Sequence, residues 1–376
     1  MKILILTNDA QGFLLFRKEL LEELLNAKSF INNNNNFIVE EILVCAPNSD
    51  YSNDIAKIGC MYKNVSMDRR GKNPLKDYKL IKEYERIIDN FNPNVILTYT
   101  IKPNIYGGIA AKKQKIPYIV NITGLGTSIH KNNITSKFIK KLYKIGVKGA
   151  SEIFVQNKSN LEFFKNNILA DANYNLIPGS GINLERFVYK EYPSDTQPIK
   201  FITIGRIMKD KGIDELLESI VKIKKEFGSK VEFHIAGSYD DVSYKDKIDS
   251  LNKVGTINYL GLRNDIPQII GDYHCIIHPS YHEGLSNVLL EAGATGRPVI
   301  ASNVPGCKET FIDGVSGLAV RVKDSDDLIR KIEEFINIPY EKKVQMGKAN
   351  REHVEKNFDR KIVVQKYIEC IEKYAR

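Results

Sequence analysis

The segment Ser280-Tyr-His-Glu-Gly-Leu-Ser-Asn-Val-Leu-Leu-Glu291 sets two carboxylates, Glu283 and Glu291, either side of Gly284 and the start of an apolar helical pattern. Eight residues of α-helix turn through roughly 800°, so glutamates at that spacing on one helix would point about 80° apart. Glu283 is therefore read on an approach loop and Glu291 in the first turns of a helix. A helix starting near Ser286 offers unpaired backbone N–H groups and the positive end of its dipole, which suits a phosphate. A carboxylate just outside that anion site can accept hydrogen bonds from hydroxyls. The chemistry indicated is recognition of a phosphorylated, hydroxyl-rich ligand such as a nucleotide sugar.

A second stretch, Thr203-Ile-Gly205-Arg206-Ile-Met-Lys-Asp-Lys211-Gly212, follows a β-like run. Gly205 lets a ligand approach the backbone, and Arg206 and Lys211 offer two cations. Taken alone, cations after a strand are more often solvated than functional. A glutamate pair also fits a glycosidase, one acid and one nucleophile or base. A hydrolase of neutral glycosides gains little from the cation pair, so that alternative is the weaker. Asp324-Ser-Asp326 could be proposed as a Mg²⁺ site, but it directly precedes a helical pattern and reads as a helix cap.

These residues need elements to hold them. The first half alternates short β-like runs (Lys2–Leu6, Ile38–Cys45, Asn94–Tyr99, Tyr118–Ile122, Glu152–Val155, Tyr174–Ile177) with helical patterns over Phe13–Leu25, Lys76–Asp89 and Pro103–Lys113. Asn32 to Asn36 reads as a loop. The pattern breaks over residues 179 to 198 and restarts with Ile199–Ile204, Val231–Ala236, Ile257–Tyr259, Cys275–His278, Val299–Ala301 and Gly317–Val320. Helices are expected over Gly212–Phe227, Lys245–Val254, Ile266–Ile270 and Asn287–Ala294, then Ser325–Phe335, Tyr340–Lys356 and Arg360–Tyr374. The fold class is α/β, with two doubly wound halves. The expected domains are 1–190, 191–356, and a last helix over 357–376 that packs back on the first.

Length and composition agree, since 376 residues suit two ordinary domains and the 43% apolar content contains no run long enough to span a bilayer. Met1–Asp9 is too short for a signal h-region and reads as a first strand. Five scattered cysteines without a C-x-x-C pair point to a reduced, cytosolic setting and against thiolate metal sites. The net charge of +9 is uneven. Residues 1–190 hold 27 of the 55 basic and 17 of the 46 acidic residues, leaving 28 and 29 for the rest. Between Asp89 and Glu152 there is no acidic residue but there are ten lysines. Such a region suits a phosphorylated substrate or an anionic membrane face, or is a plain solvated surface. With few interleaved aromatics and no recognisable module, nucleic acid is not an expected partner.

Gly205-Arg206 with Lys211-Gly212, then His278-Pro-Ser-Tyr-His-Glu283-Gly-Leu-Ser-Asn-Val-Leu-Leu-Glu291-Ala, Gly296-Arg-Pro-Val-Ile-Ala-Ser and Asp313-Gly-Val-Ser-Gly-Leu, resembles the family 4 retaining glycosyltransferases. Their GT-B fold, two Rossmann-like domains facing a cleft, is what the resemblance implies, densely from Ile177 to Val320 and loosely before. It further implies a nucleotide-sugar donor, expected to be a UDP-sugar, with no metal or other cofactor. Arg206 and Lys211 match residues that bind the diphosphate, Glu283 the one that meets the transferred sugar, and Glu291 the one that holds the ribose. Gly205, Gly284, Leu285, Ser286 and Asn287 lie in matching backbone positions, with N–H groups of 284–286 expected on the phosphate, and Gly261-Leu-Arg263 lies where the base is met.

On the acceptor side the resemblance points to Gly12 and Phe13, in a turn after the first strand that lacks the second glycine of many relatives. It also points to Gly124 and Gly126 in Asn121-Ile-Thr-Gly-Leu-Gly-Thr, with His130 close behind. Relatives that extend lipid-linked sugars work at the inner membrane leaflet on a polyprenyl-diphosphate-linked saccharide. Ser136–Lys148 interleaves Phe138, Ile139, Leu142, Tyr143, Ile145 and Val147 with lysines, as a peripheral, interfacial helix would. The function so implied is transfer of a hexose or N-acetylhexosamine in capsule, O-antigen or glycan synthesis. A nucleotide-sugar epimerase and a catalytically silent scaffold of a polysaccharide assembly complex are the alternatives.

Overall fold

A computed structural model describes residues 1–26, 38–47, 50–68, 71, 73–124, 129, 134–195 and 198–374. The chain divides into two compact units, Met1–Ser180 with Lys361–Arg376, and Gly181–Arg360. The expected boundaries at 190 and 356 therefore shift to 180 and 360. The reason is local: Ile182 donates to Phe358 O and accepts from the Arg360 N–H, and Ile182 and Phe187 pack against Leu290, Val354 and Phe358.

In the first unit the described strands are β1 (Lys2–Leu6), β2 (Glu41–Ala46), β3 (Met61–Asn64), β4 (Val95–Tyr99), β5 (Tyr118–Ile122), β6 (Glu152–Val155) and β7 (Tyr174–Leu176), paired throughout in parallel in the order β3-β2-β1-β4-β5-β6-β7. Its helices are α1 (Ala10–Leu25), α2 (Ser52–Ile58), α3 (Pro74–Phe91), α4 (Gly108–Lys113), α5 (Ile134–Val147) and α6 (Lys158–Asn167). The α2–β3 pair escaped the sequence reading because β3 is an edge strand with little burial and so little apolar alternation. Within β1, Ile3 and Ile5 enter one core cluster and Leu4 and Leu6 the other, so a wholly apolar strand serves both faces of the sheet.

The second unit repeats the plan with β8 (Ile199–Ile204), β9 (Val231–Ala236), β10 (Asn258–Gly261), β11 (Cys275–His278), β12 (Val299–Ser302) and β13 (Gly317–Val320), parallel in the order β10-β9-β8-β11-β12-β13. Around them lie α7 (Ile213–Phe227), α8 (Lys245–Lys253), α9 (Ile266–Ile269), α10 (Asn287–Ala294), α11 (Ser325–Asn337) and α12 (Tyr340–Phe358). The last helix, α13 (Arg360–Glu372), returns to the first unit, where Val363, Val364, Tyr367, Ile368 and Ile371 share a core with Ile3 and Phe13. In both sheets the strand order reverses once, between β1 and β4 and between β8 and β11. In open parallel sheets ligands bind beyond the carboxyl ends of the strands at that reversal.

Candidate active site

Two loops leave the carboxyl ends of β8 and β11, the pair that flanks the reversal in the second unit. The first runs from Gly205 to Gly212 and is laced to the end of β9 and the loop after it by the Gly205 N–H on Ala236 O, the Ile207 N–H on Ser238 O and the Asp240 N–H on Ile207 O. Gly237 stands so close that a Cβ there would lie 1.7 Å from Gly205 O. The loop then closes with a short helical turn over Lys209–Lys211. Gly212, at φ +69°, has no room for a side chain, since a Cβ would fall 2.2 Å from Pro279 O. The Tyr281 N–H and Ser280 Oγ both bond Asp210 O, at 2.9 and 3.3 Å, and Tyr281 OH reaches both Glu215 oxygens at 2.7 Å. This docking carries Lys211 to the loop that holds Glu283.

There Lys211 Nζ lies 2.5 Å from Glu283 Oε1, and His278 Nε2, from the last residue of β11, lies 2.9 Å from the same oxygen. Burial pushes the Glu283 carboxyl up, but His278 and Lys211 outweigh it and hold it well below the usual carboxylate range. It is ionised throughout the physiological range. Arg206 Nη1 pairs with Asp240 Oδ2 at 3.2 Å on the open side of the loop. Both cations singled out in the sequence thus rest on carboxylates.

The helix start lies where expected, with Ser286 preceding α10. One expectation is corrected: the Ser286 N–H donates to Gly306 O at 2.7 Å, so it is engaged inside the protein. Gly306 has φ +85° and lies so close that a Cβ would sit 2.5 Å from Glu283 O and 2.8 Å from Gly284 O. The loop after β12 therefore braces the Glu283–Ser286 turn from behind. Leu285 is buried against Ile182, Phe187 and Leu290, which anchors the turn, and Asn287 opens α10. Glu291, one helical turn further on, has its carboxyl pushed up to about 7 by burial, with Arg186 and Arg360 opposing part of that rise. Arg263 stands apart. It follows β10, three strand spacings or roughly 14 Å along the sheet from β11, and its guanidinium is spread over both oxygens of Asp265.

On the acceptor side, Gly12 and Phe13 are not in a turn but in α1, which begins at Ala10. Phe13 is 4% exposed and packs edge-on to Tyr99 with ring centres 5.3 Å apart, so it is a core residue. The helix simply starts three residues earlier than its first aromatic suggested. Gly124 follows β5, whereas Gly126, His130 and the asparagines 32–36 lie outside the described residues. Asp324 caps α11 by accepting from the Asp327 N–H at 2.8 Å. His278, Asp240 and Gly306 are site residues that the sequence reading passed over. The signal for His278 was its place at the end of a strand pattern, one residue before the loop.

Residues 186–353 match the model of the glycosyl transferases group 1 family, and residues 39–157 match that of the glycosyl transferase 4-like domain. Residues 186–353 thus form a group 1 glycosyl transferase domain, and the chain is a glycosyltransferase. Among relatives of this glycosyltransferase, the N,N'-diacetylbacillosaminyl-diphospho-undecaprenol alpha-1,3-N-acetylgalactosaminyltransferase of Campylobacter jejuni is 28% identical over 355 residues, covering 90% of this chain and 92% of that one. The UDP-Gal:alpha-D-GlcNAc-diphosphoundecaprenol alpha-1,3-galactosyltransferase of Escherichia coli is 24% identical, covering 77% and 78%. Among solved structures, Anabaena HepE in complex with UDP aligns with a TM-score of 0.78 at 16% identity over 99% of this chain and 100% of that one. Sucrose-phosphate synthase from Thermosynechococcus elongatus aligns at 0.79 and 17%, over 99% of each chain. The fold of the glycosyltransferase is accordingly GT-B.

Proposed function

We propose that this glycosyltransferase moves a hexose or N-acetylhexosamine from a UDP-sugar, with retention, to an undecaprenyl-diphosphate-linked saccharide in capsule or O-antigen synthesis. The observation that carries the reading is the convergence of Lys211 and His278 on Glu283 beside the start of α10, at the strand-order reversal. The acceptor class is supported by the relatives, two of which are named for undecaprenol-linked acceptors. Arg206 and Lys211 take the diphosphate, Glu283 the sugar hydroxyls and Glu291 the ribose. Gly284 and Leu285 supply the backbone N–H groups.

As the bond from the anomeric carbon to the phosphate oxygen breaks, charge gathers on the leaving diphosphate. Arg206, Lys211 and the helix N-terminus stabilise it there. A carboxylate held as low as Glu283 is a poor base, so the acceptor proton passes to the departing phosphate oxygen while the acceptor oxygen bonds the same face of the sugar. In the first unit, α5 turns Lys137, Phe138, Lys141, Lys144 and Ile145 to the outside, with Phe138 and Ile145 seven residues apart on one face and the exposed Lys148 just after the helix. That mixture of exposed apolar and basic groups suits an anionic lipid surface, where the acceptor resides. No helix among the described residues is long and apolar enough to cross a membrane.

The test is incubation with a panel of UDP- and GDP-sugars and undecaprenyl-diphosphate saccharides, with the product linkage read by NMR. A new α-linked glycolipid from an α-configured UDP-sugar is expected. Conversion of donor to an epimer without any acceptor would replace the transferase reading by an epimerase.

A further inference from the structure

Two donors reach one oxygen of Glu283. Lys211 and His278 both bond Oε1, and neither falls on Oε2. The three side chains are largely out of water, with 5% of His278, 15% of Glu283 and 20% of Lys211 exposed. When a diphosphate draws Lys211 to itself, this carboxylate loses a cation without gaining water. A buried carboxylate needs a remaining donor to keep its place.

His278 is built for that role. Its Nε2 is also 3.1 Å from Ser286 Oγ. Because Glu283 is ionised, Oε1 has no hydrogen to give, so the hydrogen of the 2.9 Å contact must be on Nε2. Ser286 Oγ then takes the weaker branch of that same N–H. The imidazole closes β11 and is buried, so it ties the carboxylate to the end of a central strand and to the residue preceding α10.

We propose that His278 is the positioning residue of the sugar subsite: its Nε2–H keeps Glu283 in place once Lys211 has turned to the diphosphate, leaving Oε2 to accept from the sugar hydroxyls. This rests on the donor reading above. His278 acts through Glu283 and does not itself meet the donor.

Two measurements on the full chain test it. Calorimetry with UDP and with UDP-glucose, UDP-galactose and their N-acetylhexosamine counterparts compares the wild type with His278→Leu and His278→Gln. In His278→Leu the affinity for UDP is expected within about twofold, while kcat and the extra affinity given by the sugar fall about tenfold or more. His278→Gln, whose amide can donate from the same place, should recover to within about threefold. Equal losses for UDP and UDP-sugar, or no loss, overturn the proposal. Independently of any ligand, ¹⁵N spectra of histidine-labelled Lys211→Ala should show His278 with its hydrogen on Nε2, and a ring protonated on Nδ1 alone overturns it. If the wild type binds no nucleotide sugar while that signature is present, the donor reading falls and the His278–Glu283 contact stands. If it binds them and the ring is Nδ1-protonated, the positioning role falls and the donor reading stands.

Discussion

The loops after β1 and β8 occupy equivalent places, each leaving the first strand of a parallel sheet at its order reversal, yet they are built for different tasks. After β1 only Thr7, Asn8 and Asp9 separate strand from helix, and α1 at once sends Ala10, Phe13 and Arg17 into the core. After β8 the loop runs from Gly205 to Gly212, carries three cations, Arg206, Lys209 and Lys211, and is packed through Gly212 and the facing Gly237, which admit neighbouring backbone closer than a side chain would allow. Even the arginines differ. Arg17 is 3% exposed and lies between Tyr99 and Tyr367, whereas Arg206 is 56% exposed and pairs with Asp240 at 3.2 Å. The same topology thus gives a closed turn that stabilises a unit and an extended one that can receive phosphate. The lesson is that loop length and glycine placement, rather than sheet order, decide which reversal point carries charge to a ligand.

The comparison can be broken most severely at Lys211. Lys211→Ala should lower kcat by about 10²–10³, the size usual for losing a preorganised group that stabilises developing charge. Near-normal turnover in a glycolipid assay would remove the phosphate role from the β8 loop. Gly306→Ala is next. A methyl group 2.5 Å from Glu283 O must displace the turn, so a loss of about 2–3 kcal/mol in urea unfolding is expected, together with weakened UDP-sugar binding.

Glu291 gives a pH signature. Its carboxyl titrates near 7 in the fold, above its ordinary range, so between the two values the native state holds the extra proton. Stability therefore falls as pH rises from about 4.5 through about 7 and levels off beyond. Glu291→Gln removes that fall, and its gain over wild type should grow across this window to about 1–3 kcal/mol, followed by Tm between pH 5 and 8.5. A gap independent of pH would contradict the shifted titration.

On the first unit the expected effects are smaller. Lys141→Glu with Lys144→Glu should weaken binding to anionic vesicles by about 1 kcal/mol or more per lysine, and wild-type binding should decline as salt rises. Sedimentation that ignores salt would argue against an electrostatic face on α5. Asp9→Ala, in the short turn after β1, should leave UDP-sugar affinity within about twofold; a tenfold loss would erase the distinction between the two loops.

Much of this was legible in advance, for particular reasons. The central strands β1, β8 and β11 read correctly because buried parallel strands are short unbroken apolar runs bounded by turn residues. The edge strand β3 did not, since half-exposed Met61–Asn64 shows neither run nor alternation. Glu283, Lys211 and Arg206 stood out by type and spacing, and the start of α10 by the switch to helical periodicity. Phe13 was misplaced because an aromatic at a helix start looks alike whether it faces a ligand or a core.

Taken by itself, the chain of residues determined most of the elements, the doubling of an α/β unit and the identities of the charged groups that could meet a phosphorylated sugar. Those are short-range properties, carried by periodicity and by residue type. Only the tertiary structure decided that Lys211 and His278 share one oxygen of Glu283, that the Ser286 N–H belongs to Gly306, and that burial lifts Glu291 while its partners hold Glu283 down. Each depends on loops that are 72, 5 and 20 residues apart in the chain being brought within hydrogen-bond reach by the sheet. Electrostatic character is set by neighbours in space, and residue identity does not encode which neighbours those will be.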